Sequence, residues 1–204
     1  MQSLRTTSRA ALCGFLAPAL FLIAILFFAA LRPEYSHLTD AVSELGALDA
    51  PNALAWNLIG FVAVGLLIAV FAWGLFRATG SPGALAYVGL SGLSFAATGV
   101  FPADMADLAA PSSRMHIVMS LICFGAFVLG AFVLGWRFLR RPGWRWVAVI
   151  SGVFGILAIL TMPLREMAVP PGLAQRVSFA LYLAWIWLLA LALWRGGEAA
   201  PRER

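Results

Sequence analysis

Lysine is absent from this 204-residue chain, in which all 14 basic residues are arginine. Charge of either sign is scarce, at 11% of residues, and cysteine occurs only twice. More informative is where charge is missing. No Asp, Glu, Lys or Arg interrupts six apolar runs, at about residues 11–31, 53–76, 84–101, 115–136, 146–162 and 177–194, and the one histidine within them, His116, stands at the head of the fourth. Proton relays, voltage sensors and most ion-coupled transporters need ionisable groups at mid-membrane depth, so this absence disfavours those classes. Cys13 opens the first run and Cys123 lies about two turns into the fourth from the opposite side. Their depths are too different for a disulfide, and both read as packing residues.

What the chain does contain is apolar surface. Hydrophobic residues make up 62% of it and the mean hydropathy is +0.92, more than a soluble domain of this size can bury. At about 1.5 Å per residue, each run can cross a hydrocarbon core about 30 Å thick. A membrane β-barrel would instead show alternating segments of about ten residues. The expected fold is therefore all-α: a polytopic membrane protein forming one six-span domain over residues 1–204. Its helices form three hairpins, and residues 195–204 form a cytoplasmic tail.

The arginines orient this bundle. Ten lie on one side (Arg5, Arg9, Arg77, Arg137, Arg140, Arg141, Arg145, Arg195, Arg202, Arg204) and four on the other (Arg32, Arg114, Arg165, Arg176). By the positive-inside rule both termini are cytoplasmic. Trp73, Trp136, Trp144, Trp146 and Trp194 gather near the same predicted inner boundary, where indoles anchor helices in the interface. The isoelectric point near 10.2 then reflects topology and anionic lipid headgroups rather than nucleic acid. The lysine-free, Ala-rich composition fits a bacterial inner membrane. The first run, at 21 residues, exceeds the usual signal-peptide core and reads as an uncleaved signal-anchor.

Two runs carry seams of small residues: Gly89, Gly92, Ala96 and Gly99 in the third, Ala148, Ser151, Gly155 and Ala158 in the fifth. Such seams predict close helix packing. Asn57, Ser91, Ser94, Thr98, Ser120, Thr161 and Ser178 are expected to satisfy themselves by interhelical or backbone hydrogen bonds.

Seven of the nine carboxylates and both histidines fall in three outer segments, residues 32–52, 102–116 and 163–176. In the first, Ser36 can cap a short helix that Gly46 would end. On it Leu38, Ala41, Val42 and Leu45 would form one face, and His37, Asp40 and Glu44 the other. Asp104, Asp107, Arg114 and His116 flank the next junction, and Glu166 and Arg176 the last, so one mouth collects them. Three chemistries suit these residues. His37, His116 and Asp104 would make a two-imidazole, one-carboxylate zinc set. His116 or His37 could serve as general base for Ser36, Ser43 or Ser120. Arg114 and Arg176 could form an ion-pair network with Asp40, Glu44 or Asp104 that locks the helix ends together.

Tyr35-Ser36, Ser43-Glu44-Leu45-Gly46, Pro51, Gly60 and Gly65 resemble the opening signature of a bacterial membrane family, domain of unknown function 998. Phe101-Pro102-Ala103-Asp104, His116 and Gly172-Leu173-Ala174-Gln175-Arg176 extend the likeness over nearly the whole chain. Where that family often has Glu, this chain has Gln175. The Ser-Glu-Leu-Gly-to-Pro segment is also similar to a loop of the eukaryotic Frag, DRAM and Sfk membrane proteins, some of which are linked to lipid handling. The resemblance implies a site at Ser43, Glu44, Asp104, His116 and Arg176.

These readings lead to a protein that holds a lipid or amphiphile headgroup at an outer mouth, with Arg114 and Arg176 pairing a phosphate and Glu44 and Asp40 positioning them. The alternatives are an intramembrane hydrolase or transferase using His116, Asp104 and Glu44, with Ser43 or His37 assisting and with or without zinc, and a structural or assembly subunit.

Overall fold

The computed structural model describes residues 2–161 and 169–198; Arg165, Glu166 and the end of the tail lie outside them. Six helices account for most of the described chain: α1 Gln2–Ala30, α2 Ala53–Thr79, α3 Ala84–Val100, α4 Pro111–Leu139, α5 Arg145–Thr161 and α6 Pro171–Glu198. Among the described residues there is no strand. Four helices, α1, α2, α4 and α6, are long and apolar enough to cross a membrane, while α3 and α5 are apolar and have 17 residues each. The chain is a multi-pass membrane protein built of helices. That outcome follows from solvent: in hydrocarbon a helix satisfies its own backbone.

Each helix packs on the next in sequence, and α6 returns to α1, closing the ring. One end of the bundle carries the connections 31–52 and 101–110 and is called here the acidic end; the other is the arginine end. The helices α4 and α6 begin with Pro111 and Pro171 at the acidic end. Proline suits a first helical position because the N–H it lacks would have no partner within the helix.

Between apolar helices in lipid there is little hydrophobic gain, so close packing decides which faces meet. The α2–α3 seam shows it. A methyl group added at Gly92 would meet the Gly65 carbonyl oxygen at 2.8 Å and the Ala69 nitrogen at 2.9 Å; at Gly99 it would meet the Asn57 carbonyl oxygen at 2.6 Å. The expected seam therefore forms at Gly92, Ala96 and Gly99, and its complement is Gly65, against which Ala96 also packs. Gly89 is looser. The second seam is buried along α5, with Gly155 against the Phe132 ring and Ala148 against Gly135.

Of the seven polar residues expected to pair inside the bundle, Asn57 donates through Nδ2 to the Gly46 carbonyl while its Oδ1 has no partner among the described residues, and four more pair with the backbone. Ser91, Thr98, Thr161 and Ser178 donate to backbone carbonyls three or four residues earlier, and Trp185 Nε1 donates to Ser151 Oγ at 3.0 Å. Cys13 and Cys123 are both free thiols. An aromatic cluster of Phe21, Trp56, Phe61, Phe95 and Phe179, edge-on except for the tilted Phe21–Trp56 pair, fills the half nearer the acidic end. At the arginine end, Arg77, Arg140, Arg141 and Arg195 lie over Trp73, Trp136, Trp144 and Trp146 at 5.3–6.0 Å. Arg141 also donates to the Ala78 and Thr79 carbonyls, and so caps the negative end of α2.

The α2–α3 seam makes a direct prediction. Gly92→Ala places a methyl group against backbone atoms that no rotamer change can move, and the expected cost is about 1–3 kcal/mol. Gly125→Ala, where nothing lies within 4 Å, serves as the control. Thermal melting in mild detergent should show Gly92→Ala several degrees below wild type and Gly125→Ala level with it or higher; equal melting of the two would refute the packing argument.

Candidate functional site

The acidic end is organised by the first turn of α6. A helix leaves its first N–H groups without internal partners, and here the connection 31–52 supplies them. Gly172 N–H donates to the Thr39 carbonyl at 3.2 Å and Leu173 N–H to the Leu38 carbonyl at 2.9 Å. Gly172 permits this approach, since a Cβ there would stand 2.8 Å from the Leu38 oxygen.

That docking breaks the helix expected between Ser36 and Gly46. Ser36 does cap: its hydroxyl accepts from Leu38 and Thr39 N–H, and the Asp40 carboxylate returns to Ser36 N–H at 2.9 Å. One turn later Ala41 is extended, at φ −68° and ψ 148°, and a 3-10 helix begins afresh at Val42–Gly46 with Glu44 accepting from Ala41 N–H. Two short turns leave the 38–40 carbonyls free to face α6, which a continuous helix would have consumed. The expected faces change accordingly: Val42 and Leu45 are buried but Leu38 is exposed.

Arg176, one turn into α6, clamps the same loop. Its Nη1 donates to the Asp40 and Gly172 carbonyls, both at 2.9 Å. Its Nη2 donates to Tyr35 Oη at 2.6 Å and meets His37 Nδ1 at 3.3 Å. An arginine can only donate, so His37 accepts there through a bare Nδ1. Tyr35 in turn donates to the Ala41 carbonyl at 3.1 Å. Burial raises the Tyr35 phenol above its usual range, which keeps that donor protonated. Arg176 Nε is buried and has no partner among the described residues.

The expected ion-pair network does not form. Among the described residues the one ion pair joins Arg32 and Glu34, at 3.0 Å. Arg114 is exposed with no side-chain hydrogen bond or ion pair among them. The carboxylates serve their own loops instead. Glu44 caps Ala41, Asp104 Oδ1 accepts from Ala106 and Asp107 N–H, and Asp107 accepts from Ala109 N–H. Backbone N–H groups within two or three residues are the nearest donors, and they win over a distant guanidinium. Nor are His37, His116 and Asp104 brought together: no group of three His, Cys, Asp or Glu side chains able to hold a metal occurs among the described residues. His37 is tied to Arg176, while His116 is buried between α3 and α4.

His116 Nδ1 lies 3.0 Å from both the Thr98 and Phe101 carbonyl oxygens. Two acceptors require a donor between them, so the proton sits on Nδ1 and Nε2 carries the lone pair. That ring borders a cavity between α2, α3, α4 and α6, together with Ser43, Ser120, Gln175 and Ser178. On the other side of α6, Arg176 and His37 stand over an apolar groove of about 510 Å³ between α1 and α6, walled by Pro18, Phe21, Leu22, Ile25 and Leu183 among others. Successive residues of α6 thus serve two places, Gln175 the cavity and Arg176 the groove.

Of the residues expected at one mouth, Ser43 and His116 meet at the cavity, and His37, Asp40 and Arg176 meet around the loop clamp. Glu44, Asp104 and Arg114 join neither group of side chains. Tyr35 was visible only as part of a motif, and the partnering of Gln175 with Val42 N–H depends on a contact 133 residues apart in the chain. The cavity floor, Tyr182 hydrogen-bonded to Ser91, carried no signal beyond a tyrosine inside an apolar run.

No curated protein and no solved structure matches the chain. A family described as Protein of unknown function (DUF998) matches residues 15–194. With nearly the whole bundle inside that match, the chain belongs to the DUF998 family.

Proposed function

We propose that the protein holds an anionic amphiphile at the acidic end, with the Arg176 guanidinium at the headgroup and one apolar chain in the α1–α6 groove. A single observation carries this reading. Arg176 is a half-buried cation with no carboxylate within ion-pair distance among the described residues and a buried, unpartnered Nε–H, and it stands at the head of an apolar groove. A guanidinium removed from water and left without a counter-charge favours an anion, and Nε–H is the one donor it has left for a phosphate or carboxylate oxygen. The groove wall, including Leu22, Ile25, Leu26 and Leu183, suits an alkyl chain.

The membrane frame of this proposal has all six helices crossing a bacterial inner membrane with the arginine end in the cytoplasm. The excess of arginine there and the Arg–Trp pairs along that boundary support it. The two 17-residue helices, at about 1.5 Å per residue, reach the short end of the spanning range. A catalytic role retains His116 at the cavity, whereas Glu44 and Asp104 are occupied as loop caps.

Purification in mild detergent followed by lipid mass spectrometry tests the reading. Wild type should retain an anionic lipid, and Arg176→Gln should reduce retention about fivefold or more. Arg176→Lys, which keeps the charge but loses the fork, should retain lipid at an intermediate level while melting lower. Ala184→Phe, filling the groove wall away from the guanidinium, should also lower retention. Absence of lipid from wild type, or undiminished retention in Arg176→Gln, would sink the proposal.

Acidification provides a second test, because the Asp40 turn shapes the carbonyls that Arg176 holds. The Ser36 N–H and the Thr39 hydroxyl, helped by Arg32 and Arg176, hold the Asp40 carboxyl below the ordinary aspartate value of 3.8. A depressed folded-state value means that its stabilisation is fully present above pH 3.8 and disappears as pH falls through the lower folded value. Asp40→Ala should therefore melt below wild type at pH 7, with the gap closing under acid. A gap of the same size at pH 7 and at pH 2 would show that the carboxylate charge contributes nothing.

A further inference from the structure

The cavity beside His116 has two compartments. The inner one is about 60 Å³ and the outer about 220 Å³, and both are bordered by Ser43, His116, Ser120, Phe124, Gln175 and Ser178. Polar atoms lie toward the acidic end. Deeper in the bundle the inner compartment is walled by Phe61, Phe95, Phe127 and Phe179 and closed by Tyr182 and Cys123. No Asp, Glu, Lys or Arg borders either compartment.

The polar rim has hydrogen-bonding capacity to spare. With Nδ1 committed to two carbonyls, His116 Nε2 is an acceptor that makes no hydrogen bond to the described residues. It is also absent from the fully buried unpartnered atoms, so it opens on the cavity. Gln175 uses its carbonyl oxygen on Val42 N–H, which leaves its NH₂ group to donate. The hydroxyls of Ser43 and Ser120 can do either. A fixed acceptor surrounded by adaptable groups, beside the apolar side chains of Ile117, Leu121 and Phe124, selects a ligand with a donor at one end and an apolar body at the other. An ion would lose its hydration there and gain no opposite charge.

We infer that this cavity is a second binding site, for an uncharged amphiphile whose hydroxyl or N–H donates to His116 Nε2 and whose alkyl chain runs through the outer compartment past Ile117, Leu121 and Phe124. It lies across α6 from the Arg176 groove, with Phe179 as the shared wall. Each site can therefore be lost while the other persists.

The experiment uses the full chain in mild detergent and a photoreactive octanol carrying a diazirine on its alkyl chain. Illumination followed by peptide mass spectrometry should place the label within residues 116–127 and 175–182. Unlabelled octanol should compete, and methyl octyl ether, matched in mole fraction within the detergent phase, should compete about five- to tenfold less well. The ether keeps the chain and an acceptor but lacks the donor, and one hydrogen bond is worth about that factor. This comparison uses wild type alone, so it does not depend on any variant folding. Ser120→Phe, which fills the outer compartment, should reduce labelling at least fivefold, and Ala184→Phe, which fills the α1–α6 groove without touching the loop clamp, should leave it within twofold. Label placed elsewhere, equal competition by alcohol and ether, or loss of labelling in Ala184→Phe would each overturn the inference.

Discussion

The acidic end takes its form from the unsatisfied N–H groups at the start of α6. A helix terminus placed near hydrocarbon must find acceptors, and it finds them in the Leu38 and Thr39 carbonyls rather than in water. That requirement ends the first turn of the connection at Asp40, extends Ala41, and starts a second turn at Val42. Arg176 then fastens the carbonyl of Asp40 to the same helix. Without Gly172 the loop could not come close enough for either set of bonds.

Once the loop is fixed, α6 divides the polar chemistry in two. Gln175 turns toward α4 and contributes a neutral amide to a cavity with a neutral imidazole and no charged lining. Arg176 turns toward α1 and places a cation over an apolar groove. The resemblance to the family implied a site that included Arg176 but not Gln175, and the amide at Gln175 leaves the cavity side without charge. A carboxylate at that position would not offer the donors that Gln175 provides, nor leave the lining uncharged. The two faces consequently favour different ligands, an uncharged donor on one side and an anion on the other.

Packing elsewhere serves to hold these faces in register. The α2–α3 seam brings Asn57 against Gly99, and Asn57 Nδ2 reaches the Gly46 carbonyl at 2.8 Å, tying the end of the loop to α2. The π-helical stretch Asn57–Ala63 lies at this contact, as such widened turns often do near functional positions. Leu48 N–H reaches the Ala103 carbonyl, so the connections 31–52 and 101–110 are joined as well. The backbone of the acidic end is thus held mainly by short bonds between carbonyls and N–H groups, with ion pairing a minor part.

The sequence alone determined the helical class, the approximate runs, the small-residue seams and the one-sided placement of His116, Arg176 and the acids. Those follow from composition and period: an apolar run of this length has few structural options in lipid, and a seam at helical spacing lies on one face whatever it packs against. It also showed Ser36 as a cap, because capping is a contact between near neighbours. Pairings were not legible in the same way. Formal charge suggested that Arg176 would seek Asp40 or Glu44 side chains, yet both carboxylates were claimed by N–H groups a few residues away, and the guanidinium took carbonyls and a phenol. Only the tertiary structure decided that competition. It depended on where α6 begins relative to residues 38–40, a distance between segments more than 130 positions apart that no local pattern encodes.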